Sequence, residues 1–246
     1  MYLYIATIAL IVYMGKVFNF NKRLFAYLFT QQEEKYDKLV SKIKEEHFKI
    51  LKTFKSSNAE LQKQGVFKLL EIGAGSCANF PYYPKHAQVI ATDPNPYFGS
   101  AQDKCKRQYP YLQVVKTLTA YAEDLSMVED NSVDVVVSTL VLCSVEDVGK
   151  SLKEIRRILI PGGVFLYWEH CAAVQGTWLR SIQNMLTNFW PNIMDGCHLN
   201  RTVVDDIKES GFSDVGTSYF NVPLGNNWSR YIMKIAERHV RGVATK

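Results

Sequence analysis

Two glycine turns lie far apart in this chain, each beside an apolar run, and a third apolar run between them ends in a carboxylate. Leu69-Leu70-Glu71-Ile72 closes on Gly73-Ala74-Gly75. Val89-Ile90-Ala91-Thr92 closes on Asp93, and Pro161-Gly162-Gly163 precedes a further apolar run. Small residues at such a turn let a ligand approach the backbone, because a side chain there would hold it off. An acid at the end of the next strand can accept hydrogen bonds from ribose hydroxyls. The ordered set therefore predicts an α/β nucleotide-binding sheet. Residues 73–78 also satisfy G-x-G-x-x-G/A, so a dinucleotide-dependent oxidoreductase fits the same turn.

Alternating strands and helices follow from residue 66 onward. The apolar runs predict strands over 66–72, 87–92, 112–116, 133–139, 163–169, 212–220 and 229–236. Helices are expected near 97–108, 146–159, 177–189 and 202–210. The run Val133-Asp134-Val135-Val136-Val137 reads as a strand covered on both faces, hence a mainly parallel sheet. The last two strands are close enough to pair as an antiparallel hairpin at one edge.

The segment before the sheet has a different character. Tyr2 to Met14 is uncharged and nearly all apolar. As a helix it would reach ~20 Å, short of the roughly 30 Å hydrocarbon core of a bilayer. Tyr2, Tyr4, Tyr13, Phe18 and Tyr27, with Lys16, Lys22 and Arg23, suit a membrane interface. No basic n-region or small-x-small cleavage site marks a signal peptide. Residues 1–29 are expected to be an uncleaved anchor lying in one leaflet or barely spanning it, with Lys22 and Arg23 favouring a cytosolic body. Residues 31–56 read as an amphipathic helix through Tyr36, Leu39, Val40, Ile43, Ile50, Leu51 and Phe54, with His47 as a packed or interfacial residue on its apolar stripe. Residues 30–60 thus form a linker or cap, and 61–246 the catalytic domain.

Charge separates the same two regions. Residues 16–68 carry 12 Lys/Arg against 6 Asp/Glu, and residues 69–246 carry 17 against 18. The basic excess is outside the body, which argues against nucleic-acid binding and for an anionic membrane surface. Cys77, Cys105, Cys143, Cys171 and Cys197 are scattered and contain no Cys-x-x-Cys, so neither a disulfide framework nor a metal site is expected. Asn200-Arg201-Thr202 and Asn227-Trp228-Ser229 match the glycosylation triplet and are expected to be unused. Hydrolase and kinase readings lack their G-x-S-x-G and G-x-x-x-x-G-K-[ST] motifs.

Longer strings point to a family. Glu71-Ile72-Gly73-Ala74-Gly75, Asp93, Asp134 to Val145 and Arg156-Arg157-Ile158-Leu159-Ile160-Pro161-Gly162-Gly163 resemble class I S-adenosylmethionine-dependent methyltransferases. Within that superfamily, Gly75-Ser76-Cys77-Ala78-Asn79-Phe80, Ser138 to Val145, Trp168-Glu169-His170 and Asp195-Gly196-Cys197-His198-Leu199 resemble the membrane-anchored methyltransferase-like protein 7 family. The resemblance covers nearly the whole chain. It implies a Rossmann-like seven-stranded sheet with helices on both faces, preceded by a hydrophobic membrane-anchor helix. It also implies S-adenosyl-L-methionine as cofactor, small alkyl thiols as acceptors, and residence at the endoplasmic reticulum membrane and lipid droplets.

The resemblance assigns Glu71, Gly73 and Gly75 to the methionine end of the cofactor and Asp93 to its ribose. Pro94 or Asn95 borders the adenine, Ala122 and Glu123 lie near its amino group, and Thr139 and Leu140 stand behind the sulfonium. Many members of the superfamily read Gly-Asp-Ala before that glutamate. This chain has Ala120-Tyr121-Ala122, so no carboxylate stands two positions before Glu123. Asp195 and His198, with His170, are candidates to assist the acceptor. Trp168, Trp178, Phe189 and Trp190 are candidate pocket walls, and Cys143 and Cys197 read as packing residues with no basic partner in sequence. A methyltransferase acting on a lipid or quinone-like acceptor and a non-catalytic droplet-surface protein are the alternatives.

Overall fold

The structure, a computed structural model, describes residues 20–223 and 234–246. Seven strands form one sheet: β1 (Phe67–Ile72), β2 (Ala87–Thr92), β3 (Gln113–Leu118), β4 (Val133–Thr139), β5 (Leu159–His170), β6 (Asp214–Asn221) and β7 (Arg238–Thr245). Their order is β3-β2-β1-β4-β5-β7-β6, parallel from β3 to β5, with β7 antiparallel to both β5 and β6. This is the Rossmann-like methyltransferase sheet the sequence predicts, and the order reverses between β1 and β4.

The central strands β1, β4 and β5 are largely apolar because both faces are covered, whereas β3 and β6 at the sheet edges are mostly exposed. Neighbouring residues such as Leu69 and Leu70, Val135 and Val136, or Phe165 and Leu166 enter opposite cores, as the period of two requires. On one face the helix α1 (Phe20–Phe48) and the 3-10 turn after it bring Phe48 and Leu51, and α3 (Gly99–Gln108) brings Cys105. On the other, α4 (Val148–Ile158) inserts Leu152, Ile155 and Ile158, and α7 (Val203–Glu209) inserts Val203, Val204 and Ile207. Each such aliphatic side chain contributes roughly 1.5–3 kcal/mol by burial. Asp147 caps α4 by accepting from the Lys150 amide, and Arg156 and Arg157 occupy its last turn, where positive charge complements the helix dipole.

Three boundaries differ from the sequence expectation. The expected helix over 31–56 starts at Phe20 and runs unbroken across residue 30, ending in a 3-10 turn at Lys49–Thr53. A short helix, α2 (Ala59–Gln64), follows the Ser56-Ser57-Asn58 break, where the Asn58 side chain accepts from the Glu60 and Leu61 amides. The last strand is Arg238–Thr245, not 229–236. Residues 229–233 lie outside the described residues, and 234–236 form a helical turn. The arginines and Gly242 of β7 hide a strand whose place between β5 and β6 depends on its partners.

The anchor expected over 1–29 falls largely on residues 1–19, outside the described residues. Among the described residues, no helix is long and apolar enough to cross a membrane.

Candidate active site

The carboxyl ends of β1, β2 and β4 meet where the strand order reverses, the usual ligand crevice of an open α/β sheet. Glu71 is buried there, on β1. Its Oε1 accepts a 2.7 Å bond from Asn79 Nδ2, which also reaches Thr139 Oγ1 at 2.9 Å. Asn79 thereby ties β1 to the last residue of β4. Glu71 Oε2 and Asn79 Oδ1 are buried acceptors without a partner. Burial pushes the Glu71 carboxyl up to about 7.

Gly73 and Gly75 adopt left-handed backbone, φ 57° and 52°. A Cβ on Gly73 would overlap the Val141 side chain, so this glycine lets the β1 turn meet the β4 turn. Asp93 binds that turn from β2. Its Oδ2 accepts from the Gly75 amide at 2.8 Å and its Oδ1 from the Asn95 amide at 2.7 Å. Each oxygen keeps a second lone pair for a ribose hydroxyl. Burial raises the Asp93 carboxyl to about 6 against the opposing effect of those two amides. Asn95 is buried and Pro94 half-buried beside it.

Across the crevice, Leu140 holds φ 59° and donates its amide to Trp168 O at 2.8 Å. A positive φ is costly for leucine and marks a turn over-determined by its surroundings. Glu169 supplies that constraint: its Oε1 accepts from Ser138 Oγ at 2.6 Å and from the Val141 amide at 3.2 Å. Ala122 is buried nearby in sequence from Glu123, whose Oε1 accepts from the Glu146 amide at 2.6 Å. The Glu123 carboxylate is thus committed to the approach to α4.

Asp195 and His198 lie in one loop but join different partners. Asp195 Oδ2 accepts from Asn95 Nδ2 at 3.3 Å, which brings the loop to the ribose end. The His198 amide donates to Cys143 O at 2.8 Å, and His198 Nδ1 is buried without a partner. The basic partner that the sequence does not show beside Cys143 and Cys197 is present in the structure. His170 Nε2 lies 2.9 Å from Cys197 Sγ, and ligand atoms of Cys143, His170 and Cys197 all lie within 4.8 Å of one another. The basic partner comes from β5, which no local spacing reveals.

The roof of the crevice is α1. Ala26 is buried, Phe25 and Phe29 pack on Phe98, and Asn95 Nδ2 donates to Lys22 O at 3.0 Å. Ser76 Oγ donates to Glu33, whose other oxygen is buried without a partner. Burial raises the Glu33 carboxyl as well. Neither Asn79 nor Glu33 was singled out as a site residue from sequence. Asn79 falls within the Gly75–Phe80 string, whereas Glu33 carries no local signal. Of the proposed walls, Trp168 is fully buried beneath α1 with Val40 and Val222, Trp190 is half-buried, and Trp178 and Phe189 are 65% and 67% exposed.

A family model described as a methyltransferase domain matches residues 70–167, the stretch carrying the glycine turn, Asp93 and the Thr139 turn. Thiol S-methyltransferase TMT1B of Rattus norvegicus is 40% identical over 79% of this chain and 77% of its own length. Thiol S-methyltransferase TMT1A of Homo sapiens is 34% identical over 92% of this chain and 87% of its own length. The chain belongs to the thiol S-methyltransferase family. Among solved structures, a Haemonchus contortus phosphoethanolamine N-methyltransferase 2 in complex with S-adenosyl-L-methionine shares the fold. Its TM-score is 0.60 at 15% identity, covering 87% of this chain and 56% of that one.

The residues of this family member fit S-adenosyl-L-methionine. Glu71 Oε2, Asn79 Oδ1 and the free Glu33 oxygen are unpartnered buried acceptors, the complement of an ammonium and a sulfonium. Asp93, holding the Gly75 and Asn95 amides, keeps lone pairs that could accept from hydroxyls. The bound cofactor supplies a methyl group on a positively charged sulfur.

Proposed function

We propose that this chain transfers a methyl group from S-adenosyl-L-methionine to the sulfur of small alkyl thiols at a membrane surface. One observation carries the reading. In a chain belonging to the thiol S-methyltransferases, Asp93 grips the glycine turn with both oxygens while orphaned acceptors surround the methionine end. A thiol ionises near neutrality and needs less help from a base than an alcohol does. Its thiolate meets a sulfonium, so opposite charges cancel in the transition state, and a dry apolar surround favours that over water. Thr139 and Leu140 border the sulfonium. Asp195 and His198 close the acceptor side and steer the thiol.

The membrane reading rests on the apolar stretch Tyr2 to Met14 and on what α1 and its neighbours leave exposed. Leu24, Tyr27 and Leu28 on α1 are exposed. So are Trp178 and Met185 on α5 (Trp178–Leu186), Phe189, and Ile193 on α6 (Trp190–Ile193). The helix α1 packs on α6, so these side chains belong to neighbouring elements. Exposed apolar side chains on the contacting helices α1 and α6, with Lys22 and Arg23 on α1, suit an interface with lipid. The resemblance to the membrane-anchored family and the lysine–arginine pair Lys22 and Arg23 support a place at the endoplasmic reticulum and lipid-droplet surface, with the catalytic domain in the cytosol.

The test is transfer of labelled methyl by the purified full chain, offered short alkyl thiols, phenols, amines and lipid extracts in parallel. Label on the alkyl thiols, absent in Asp93→Ala, is the expected result. Label confined to lipid would move the activity to a membrane acceptor. Cofactor binding without transfer to any acceptor would leave a surface protein that keeps the fold.

A further inference from the structure

Two thiols and an imidazole from three separate segments converge beside the acceptor side of the crevice. Cys143 stands in the turn after β4, His170 is the last residue of β5, and Cys197 lies in the loop after α6. Cys143 and His170 are buried and Cys197 is half-buried. The backbone is built to bring them together. The His198 amide donates to Cys143 O at 2.8 Å, and the Cys197 and Gly196 amides are held by Met194 O and Pro191 O. Gly196 has φ 90°, and a Cβ on it would stand 2.6 Å from Ser144 O. Only glycine allows the loop to press this closely on the β4 turn, and that approach delivers Cys197 to Cys143.

We propose that Cys143, His170 and Cys197 bind one zinc ion whose fourth position takes the acceptor's sulfur. Two sulfurs and one imidazole nitrogen are ligands that zinc accepts, and three protein ligands with one open position distinguish catalytic zinc sites from closed structural ones. Among the described residues, no fourth His, Cys, Asp or Glu joins the cluster. The open position suits a soft donor, and a thiol bound there loses its proton to solvent and remains a zinc-held thiolate. The site also adjoins the segment that would stand behind the sulfonium: Cys143 follows Thr139 and Leu140, and its Sγ donates to Leu140 O at 3.4 Å. The role of the fourth ligand rests on the thiol reading above; the metal site itself does not.

The experiment uses the full chain purified under reducing conditions. Metal content is measured first, and then zinc is exchanged for cobalt(II) chloride. One zinc per chain is expected, with a cobalt spectrum showing thiolate-to-metal charge transfer. Cys143→Ser, Cys197→Ser and His170→Gln should each lower zinc content at least tenfold while S-adenosyl-L-methionine still binds by calorimetry. Adding a small alkyl thiol should shift the cobalt spectrum. Folded, cofactor-binding protein that holds no zinc and gives no cobalt–thiolate band overturns the proposal. Chelation of wild-type protein, reversed by zinc chloride, guards against variants that fail to fold. Metal-free protein, prepared by chelation, that methylates thiols at full rate would overturn the fourth-ligand role and leave a structural metal site. Zinc-loaded protein inert toward thiols, with an unshifted cobalt spectrum, would remove the fourth-ligand role.

Discussion

Asp93 and Glu71 show how burial prepares a residue for a cation it has yet to meet. Both carboxyls are raised by desolvation, Asp93 to about 6 and Glu71 to about 7, from 3.8 and 4.5. A folded-state value above the unfolded one means that these groups stabilise the apo protein at acid pH. That contribution is lost as pH rises through about 6 and 7. Cofactor binding has the opposite sign, because Asp93 offers two acceptors only when ionised and Glu71 faces a cation best as an anion. Affinity for S-adenosyl-L-methionine should therefore fall about tenfold per pH unit below the Glu71 value and about 100-fold per unit below the Asp93 value, where both groups give up a proton on binding. Its stabilisation of the fold in thermal melts should be larger at alkaline than at acid pH. Calorimetry near neutrality, in buffers of different ionisation enthalpy, should record proton release on binding that Glu71→Gln abolishes. Unchanged proton release in that variant would assign it to another group. Asp93→Ala removes charge-assisted bonds of roughly 1.5–3 kcal/mol each, and cofactor affinity should fall at least about 100-fold in titration.

At the scale of elements, close approaches decide more than propensity does. The strand β7 enters between β5 and β6 because Gly242 has no side chain: a Cβ there would run into Gly216 O and the Tyr167 hydroxyl. That hydroxyl lies 2.9 Å from both Gly216 O and Thr217 Oγ1, stitching β5 to β6 across the glycine. Gly242→Ala should cost about 2–4 kcal/mol by overpacking, a fall of roughly 4–16 °C in Tm for a domain of this size. Scanning calorimetry would read it directly, and a melting point equal to wild type would show that the edge strand moves aside at no cost. The Leu140 turn depends likewise on Glu169, whose carboxylate holds Ser138 and Val141 in place. Glu169→Ala removes both bonds, and its effect should fall on turnover more than on cofactor affinity.

For the whole molecule, α1 is the element that joins the N-terminal segment, proposed above to meet lipid, to the crevice. Its N-terminal half roofs the glycine turn through Phe25, Ala26, Phe29 and Glu33, and its C-terminal half enters the sheet core through Phe48. Lys44 is held within this arrangement by a 2.8 Å ion pair to Asp37. Deleting residues 1–19 removes none of these contacts, so the product should bind cofactor as the full chain does while losing flotation with vesicles. Deleting residues 1–29 also removes Lys22, Phe25, Ala26 and Phe29 from the crevice and should weaken cofactor binding at least tenfold. Equal binding by both truncated chains, measured by titration, would show that the roof contributes nothing to the cofactor site.

The sequence alone determined the sheet and its glycine turn. Apolar strands with flanking turns are local signals, and Gly73, Gly75 and Asp93 act through backbone geometry that short stretches specify. It also located the crevice, since strand ends at a point of reversal converge in any doubly wound sheet. Tertiary structure alone decided three things. It placed β7 at Arg238–Thr245, where two arginines and a glycine masked a strand defined by its neighbours. It turned residues 20–29, read as the end of an anchor, into the first turns of a helix lying on the site. And it gathered Cys143, His170 and Cys197, which share no sequence spacing typical of metal ligands. Their convergence arises because parallel strands end side by side and a glycine lets one loop press against them, a consequence of packing in three dimensions that no window of sequence contains.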